Sequence, residues 1–313
     1  MSQTALIYHP DFELHNTGNS HPEKRNRSKI IYDYIKKSAI SHELAWFEPG
    51  PIDLRWVKKN HSIDYINYVK NTCLLGDNTI DHGDTRVCPK TFEIACLAAS
   101  AAIKGVDTVM NDNCQNAFCC CRPPGHHALH SSAMGFCFFN NIAIAARYAQ
   151  EKYALNKILI IDWDVHHGNG TQASFYNDPS VFFFSAHQYP FYPGSGSSEE
   201  KGVGHGMGYT LNVPMPAGAS IEHYRRAFNL FLTPTAYKFR PDLILISAGF
   251  DAHRDDPLAT ISLKNEDFGE LTYLVKDIAE HFCHGRIVSV LEGGYNLSAL
   301  PRSVYQHINA LKH

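Results

Sequence analysis

Residues 158–167 read Ile158-Leu-Ile-Ile-Asp-Trp-Asp-Val-His-His167. Four large aliphatic residues in a row, without polar alternation, fit a strand buried on both faces, as in a parallel sheet covered by helices. Polar chemistry then begins abruptly with Asp162, Asp164, His166 and His167. The same pattern recurs along the chain. Ala117–Cys121 leads into Arg122-Pro-Pro-Gly-His-His127, Val181–Phe184 into Ser185-Ala-His187, Leu243–Ile246 into Ser247-Ala-Gly-Phe-Asp251, and Ile287–Leu291 into Glu292-Gly-Gly-Tyr295. Ala5–Tyr8 is a further strand of this kind. Between the strands lie segments of helical period: Phe92–Val109, Ile142–Tyr153, Tyr224–Tyr237, and the apolar stripe Phe268, Leu271, Val275, Ile278, Ala279 and Phe282. The alternation predicts an α/β fold with a central, mainly parallel sheet and helices on both faces. In such a sheet the carboxyl ends of the strands border the ligand crevice, so the five polar loops are expected to converge on one site. The Gly-, Ser- and Pro-rich stretch Tyr189–Gly208 is read as the only long irregular segment.

The rest of the chain sets bounds on the answer. Its 313 residues are 44% hydrophobic and 19% charged, enough apolar material for one large core. No internal repeat or linker divides it, so residues 1–313 are expected to form a single domain. A net charge of −3 gives no purchase on a phosphate backbone, and direct nucleic-acid binding is not expected. The nine cysteines form no CxxC pair, and no apolar run is long enough for a membrane span or a signal-peptide core. A soluble, reducing, cytoplasmic setting is the expectation, with the nucleus reached only through partners or host targeting. The 19 histidines, by contrast, gather beside Asp, Gly and Pro.

Asp162, Asp164 and His166 alternate, and a period of two can bring all three to one side. Two carboxylates crowded into a low-dielectric crevice repel each other unless a cation holds both ionised. Asp251 adds a carboxylate from the end of another strand, so Asp164, His166 and Asp251 would make the three-ligand, one-open-position shell of a catalytic zinc. The plainer alternatives are a solvated turn with Asp164 as a helix cap, and a surface turn at Asp251 with Arg254, Asp255 and Asp256. His126 and His127, stiffened by Pro123-Pro124 and turned by Gly125, offer two roles at one spot. One would move a proton between water and a leaving amine, while the other would be oriented by a carboxylate such as Asp162. Tyr295 could polarise a carbonyl and stabilise a developing oxyanion.

Taken together, Arg122-Pro-Pro-Gly-His-His-Ala128, Gly135-Phe-Cys-Phe-Phe-Asn-Asn141, Asp162-Trp-Asp-Val-His-His-Gly-Asn-Gly-Thr-Gln172, Ser247-Ala-Gly-Phe-Asp251 and Leu291-Glu-Gly-Gly-Tyr-Asn296 resemble the zinc-dependent histone deacetylase family, its class II branch and bacterial amidohydrolases. The resemblance runs from His21-Pro-Glu23 to the final helix. It implies an arginase-like α/β fold and hydrolysis of an acyl-lysine amide, with zinc on Asp164, His166 and Asp251. It implies that His127 is the general base and acid, that His126 is its electrostatic partner backed by Asp162, and that Tyr295 is the polarising phenol. Phe136 and Tyr192 would be the aromatic walls around the acyl-lysine, with the Gly135 backbone near the amide. Potassium is implied near Asp162 and Ser185, with a second site around Phe175, Asp178 and Val181, and Arg27 would line an exit for acetate. Zinc-chelating hydroxamates are expected to inhibit.

The departures from the family pattern are informative. Tyr192 stands where phenylalanine is usual, and Asn169 where class I enzymes place an aspartate behind the second histidine. Tyr295 is retained, where a weakly active vertebrate subgroup has histidine, which favours competent deacetylation. Leu258 occupies the position of the glutamate that marks a polyamine-selective relative, which favours a peptide substrate. Arg25 replaces a common proline without a consequence we can name. Competing readings are a deacetylase of acetylpolyamines, a two-metal ureohydrolase and a non-catalytic acyl-lysine binding module. The last would have little need of His126, His127 and Tyr295 together.

Overall fold

In the computed structural model, which describes residues 4–76, 78–81 and 83–312, the apolar runs form a sheet of eight strands. These are β1 (Thr4–Ile7), β2 (Leu44–Phe47), β3 (Asn116–Cys119), β4 (Ile158–Asp162), β5 (Val181–Gln188), β6 (Thr210–Met215), β7 (Leu243–Ala248) and β8 (Ile287–Leu291). Every pairing is parallel, in the order β2-β1-β3-β8-β7-β4-β5-β6. All residues of β1, β3, β4, β5, β7 and β8 are buried, as a sheet covered on both faces requires. The helices are α1 (Arg27–Lys37), α2 (Leu54–Val57), α3 (Ile63–Leu75), α4 (Thr91–Met110), α5 (Asn141–Tyr153), α6 (Asn169–Phe175), α7 (Ile221–Ala227), α8 (Thr233–Phe239), α9 (Asn265–Cys283) and α10 (Leu300–Lys312). One group is built around α4 and α5, another around α9 and α10.

The strands missing from the sequence reading are the two at the edges, β2 and β6. Neither carries a continuous, fully buried apolar run, because an edge strand meets solvent. Pro214, which lacks an N–H, is tolerated in β6 for the same reason. The segment expected as one helix over Tyr224–Tyr237 is α7, a π-helical turn at Phe228–Leu232, and α8. Pro234 falls in the first turn of α8, where its missing N–H and bulky ring are accommodated.

The irregular segment 120–140, between β3 and α5, corrects the expectation that Tyr189–Gly208 would be the only long one. Its apolar composition disguised it, since most of this loop is buried. After β3 the chain crosses to β4, runs outward to β6, and returns with β7 and β8 to fill the gap. The four central strands β3, β8, β7 and β4 therefore end side by side, where the winding direction changes. Ligands bind at that point in open parallel sheets.

Candidate active site

At the end of β4 the backbone turns so that carboxylates serve as acceptors for its own amides. Asp162 Oδ1 accepts from Asp164 N–H at 3.1 Å, and Asp164 Oδ1 from His166 N–H at 2.9 Å. Asp251, beyond β7, accepts from Val165 N–H at 2.9 Å, which stitches the two loops together. The His166 Nδ1 atom lies 3.2 Å from both Asp164 Oδ1 and Asp251 Oδ2. Potential ligand atoms of Asp164, His166 and Asp251 all fall within 4.8 Å of one another, and all three residues are buried.

This trio fits a zinc ion on the chemistry of its donors, two oxygens and an imidazole nitrogen with room for a further ligand. Burial opposes ionisation of Asp251, and Asp164 beside it raises the Asp251 pKa further, so the pair calls for a cation. Gly293 closes the floor by donating its N–H to Asp164 Oδ2 at 2.8 Å. A Cβ at that position would come within 2.6 Å of the same oxygen, so only glycine leaves the carboxylates their space.

The paired histidines have unlike partners. His126 Nδ1 donates to Asp162 Oδ2 at 3.0 Å, and its Nε2 is 3.8 Å from Asp164 Oδ1. Burial works against charge on this ring, yet Asp164 and Asp162 raise its pKa to about 10. His127 Nδ1 is 2.7 Å from the Asn169 amide oxygen, an acceptor, so Nδ1 carries the proton and Nε2 a lone pair. Burial, reinforced by His126 and His166, pushes the His127 pKa well below its ordinary value. Glu292 holds the loop from behind, accepting the N–H groups of Gly125 at 2.7 Å and His126 at 3.2 Å.

Above the trio lies a cavity of about 190 Å³ lined by Asp84, His127, Gly135, Phe136, His166, Phe191, Tyr192, Leu258 and Tyr295. Phe136 and Tyr295 meet edge to face at 5.8 Å, and Phe191 stacks on His166 at 5.5 Å. Burial raises the Tyr295 pKa well above the phenol range, so the hydroxyl keeps its proton and can donate. The structure thus brings together His126, His127, Asp162, Asp164, His166, Asp251, Tyr295, Gly135, Phe136, Tyr192 and Leu258.

Ser185 pairs in register with Asp162, and its hydroxyl contacts His187 Nδ1 at 2.8 Å. Phe175, Asp178 and Val181 lie between the end of α6 and the start of β5, where the Asp178 carboxylate is engaged by Arg147 and Ser180. Arg27 is buried and donates to the carbonyl oxygens of Glu292 and Gly294. The sequence reading did not single out Phe191, Asp84, Glu292 or Asp256 as site residues. A side chain one position from a named wall was the available signal for Phe191, whereas Asp84 comes from the distant segment before α4.

Fold and site together are those of the histone deacetylase family, to which the chain belongs: the histone deacetylase domain matches residues 21–311. It is a family of deacetylating hydrolases, and membership implies a zinc-binding site. Among its members, the probable deacetylase of Archaeoglobus fulgidus is 39% identical over 301 residues, covering 95% of this chain and 83% of that protein. The polyamine deacetylase HDAC10 of Homo sapiens is 36% identical over 323 residues, 98% of this chain and 48% of that protein. The crystal structure of the HDA15 HD domain matches with a TM-score of 0.93 at 34% identity, covering 99% of this chain and 88% of that one. Among the described residues no helix is long and apolar enough to cross a membrane.

Proposed function

We propose that this chain, a single catalytic domain over residues 1–313, is a zinc-dependent amidohydrolase that removes acetyl or related acyl groups from the Nε of lysine in proteins or peptides and releases acetate. The observation that carries the reading is the buried Asp164–His166–Asp251 trio at the floor of a narrow cavity that also presents His127 and Tyr295. Zinc in such a setting polarises a carbonyl and makes water a better nucleophile.

The chain's own residues do the rest. His127 takes the proton of the attacking water at Nε2 and returns it to the leaving amine. His126, oriented by Asp162, which favours its charged form, stabilises the negative charge that develops as the amide is attacked. The Tyr295 hydroxyl donates to the former carbonyl oxygen, and Phe136, Phe191 and Tyr192 enclose the aliphatic arm of the lysine. Potassium belongs to the same proposal, at Asp162 and Ser185 and around Phe175, Asp178 and Val181. So do an acetate exit past Arg27, inhibition by hydroxamates and a cytoplasmic setting, the last in keeping with nine free cysteines.

The test is turnover of acyl-lysine peptides of graded acyl length beside acetylspermidine. Leu258 puts an apolar side chain, not a carboxylate, at its place on the rim, so the acetyl-lysine peptide should be preferred even with Asp84 in the cavity lining. Preference for acetylspermidine would overturn the assigned substrate. Tyr295→Phe should lower kcat by about 100- to 1000-fold, the usual cost of losing one oxyanion donor. Wild-type turnover in that variant would remove the phenol from the mechanism.

A further inference from the structure

We infer that Asp256 is a positioning residue for deacetylation, which sets the bearing of the Tyr295 phenol by gripping the Gly294–Tyr295 peptide plane from the side opposite Arg27. The inference rests on the role proposed above for Tyr295. Its geometry is independent of that role. The peptide unit joining Gly294 to Tyr295 exposes two polar groups, and each meets an ionisable side chain. Arg27 Nε donates to the Gly294 carbonyl oxygen at 2.7 Å, and Asp256 Oδ2 accepts the Tyr295 N–H at 2.7 Å. A planar peptide held at its oxygen by a guanidinium group and at its N–H by a carboxyl oxygen is restrained from swinging about the chain axis.

The need for such a clamp is local. Gly293 and Gly294 precede the phenol, and Gly294 sits at a φ of +122°, in a region that glycine alone enters freely. Two such residues leave the bearing of the next side chain undetermined. A phenol oxygen lies far enough from its Cα that a rotation of roughly 10° displaces it by about 1 Å, an error that can cost about 100-fold in rate.

The chemistry of Asp256 fits a positioning task better than a stabilising one. It is buried, at 7% exposure, and no ion pair reaches it among the described residues. Such a carboxylate is costly to the fold. Its second oxygen accepts Leu258 N–H at 3.0 Å, so one group links the catalytic phenol to a residue at the cavity rim. Burial, with Asp251 nearby, pushes its pKa up to about 7, while the two backbone N–H groups it accepts favour the ionised form, which offers an acceptor to each; asparagine has the same shape but would turn an NH₂ group toward one of these donors.

The experiment is a double-mutant cycle on an acetyl-lysine peptide with Asp256→Asn, Tyr295→Phe and the pair, recording kcat, KM and the thermal midpoint. Asp256→Asn should lower kcat by about 10- to 100-fold, as loss of a buried charged hydrogen bond implies, with KM nearly unchanged. On the Tyr295→Phe background it should cost nothing further, because the group it positions is gone. An equal loss on both backgrounds, or wild-type kcat in Asp256→Asn, overturns the inference. Wild-type turnover in Tyr295→Phe alone overturns the reading of the phenol, and the clamp with it, and is distinguishable because it appears without any change at Asp256. Should Asp256→Asn melt too low to assay, Asp256→Ala, which removes both acceptors and the buried charge, enters the same cycle with the same expected outcomes.

Discussion

Stripping and restoring zinc perturbs the proposed site without touching any residue, and its effect on stability can be worked out beforehand. Asp164 and Asp251 are fully buried, and their ligand atoms lie within 4.8 Å of each other and of His166. Such a trio is formed in the folded chain and dispersed in the unfolded one, so an ion bound there stabilises the fold by mass action. Free zinc at a thousand times its Kd contributes about 4.1 kcal/mol. An unfolding entropy of about 2.1 cal/mol/K per residue, over 313 residues, is about 0.66 kcal/mol/K. The midpoint should therefore rise by about 6 °C, and by about 2 °C for each further tenfold of zinc. Differential scanning fluorimetry of chelator-treated protein against a zinc series reads this directly, with metal content measured in parallel. Asp251→Asn, which keeps the shape and removes a charge, should abolish the dependence. One zinc per chain is the expected stoichiometry. A midpoint indifferent to zinc, a full shift retained in Asp251→Asn, or two manganese ions per chain would rule out a single zinc on this trio.

Two further outcomes follow from residues around the site. Glu23 is buried between Arg122 and Arg27; burial opposes its charge, but the two guanidinium groups hold its pKa down to about 2 from 4.5. As pH falls below 4.5 the unfolded chain takes up that proton first. Stability worth roughly 3 kcal/mol is therefore present above pH 4.5 and lost as pH approaches 2. Urea titrations should show Glu23→Gln less stable than wild type at pH 6 with a gap that closes toward pH 2, and a constant gap would contradict the assignment. Gly135 has a φ of +54°, and a Cβ there would lie 2.5 Å from His127 Cδ2. Gly135→Ala should then lower kcat by at least about tenfold while costing roughly 1–2 kcal/mol in stability, and unchanged turnover would show that the His127 ring is not held against this backbone.

The sequence was legible wherever one physical demand acted on consecutive residues. The interior strands had to be apolar throughout because both faces are covered, so Ile158–Ile161 and Leu243–Ile246 declared themselves. The loops behind them stood out because acids and imidazoles do not otherwise follow such runs. Edge strands obey a weaker demand, and β2 and β6 passed unseen. Contacts between distant segments leave no local trace at all: Asp256 meets Tyr295 across 39 positions, and Arg27 meets Gly294 across 267.

The paired histidines make the same point within the site. His126 and His127 share one sequence neighbourhood, and nothing local says which should carry charge. The difference comes from side chains 36 and 42 residues downstream, a carboxylate at Asp162 for one ring and an amide at Asn169 for the other. With two carboxylates beside it, the His126 pKa is pushed up, which favours the charged ring over one that acts as a base. With an amide oxygen fixing its tautomer and His126 repelling a second charge, His127 stays neutral with Nε2 ready to accept a proton. Division of labour between two identical side chains is thus a property of the tertiary fold, and the α6 start that supplies Asn169 belongs to the site as much as the strands that supply the acids.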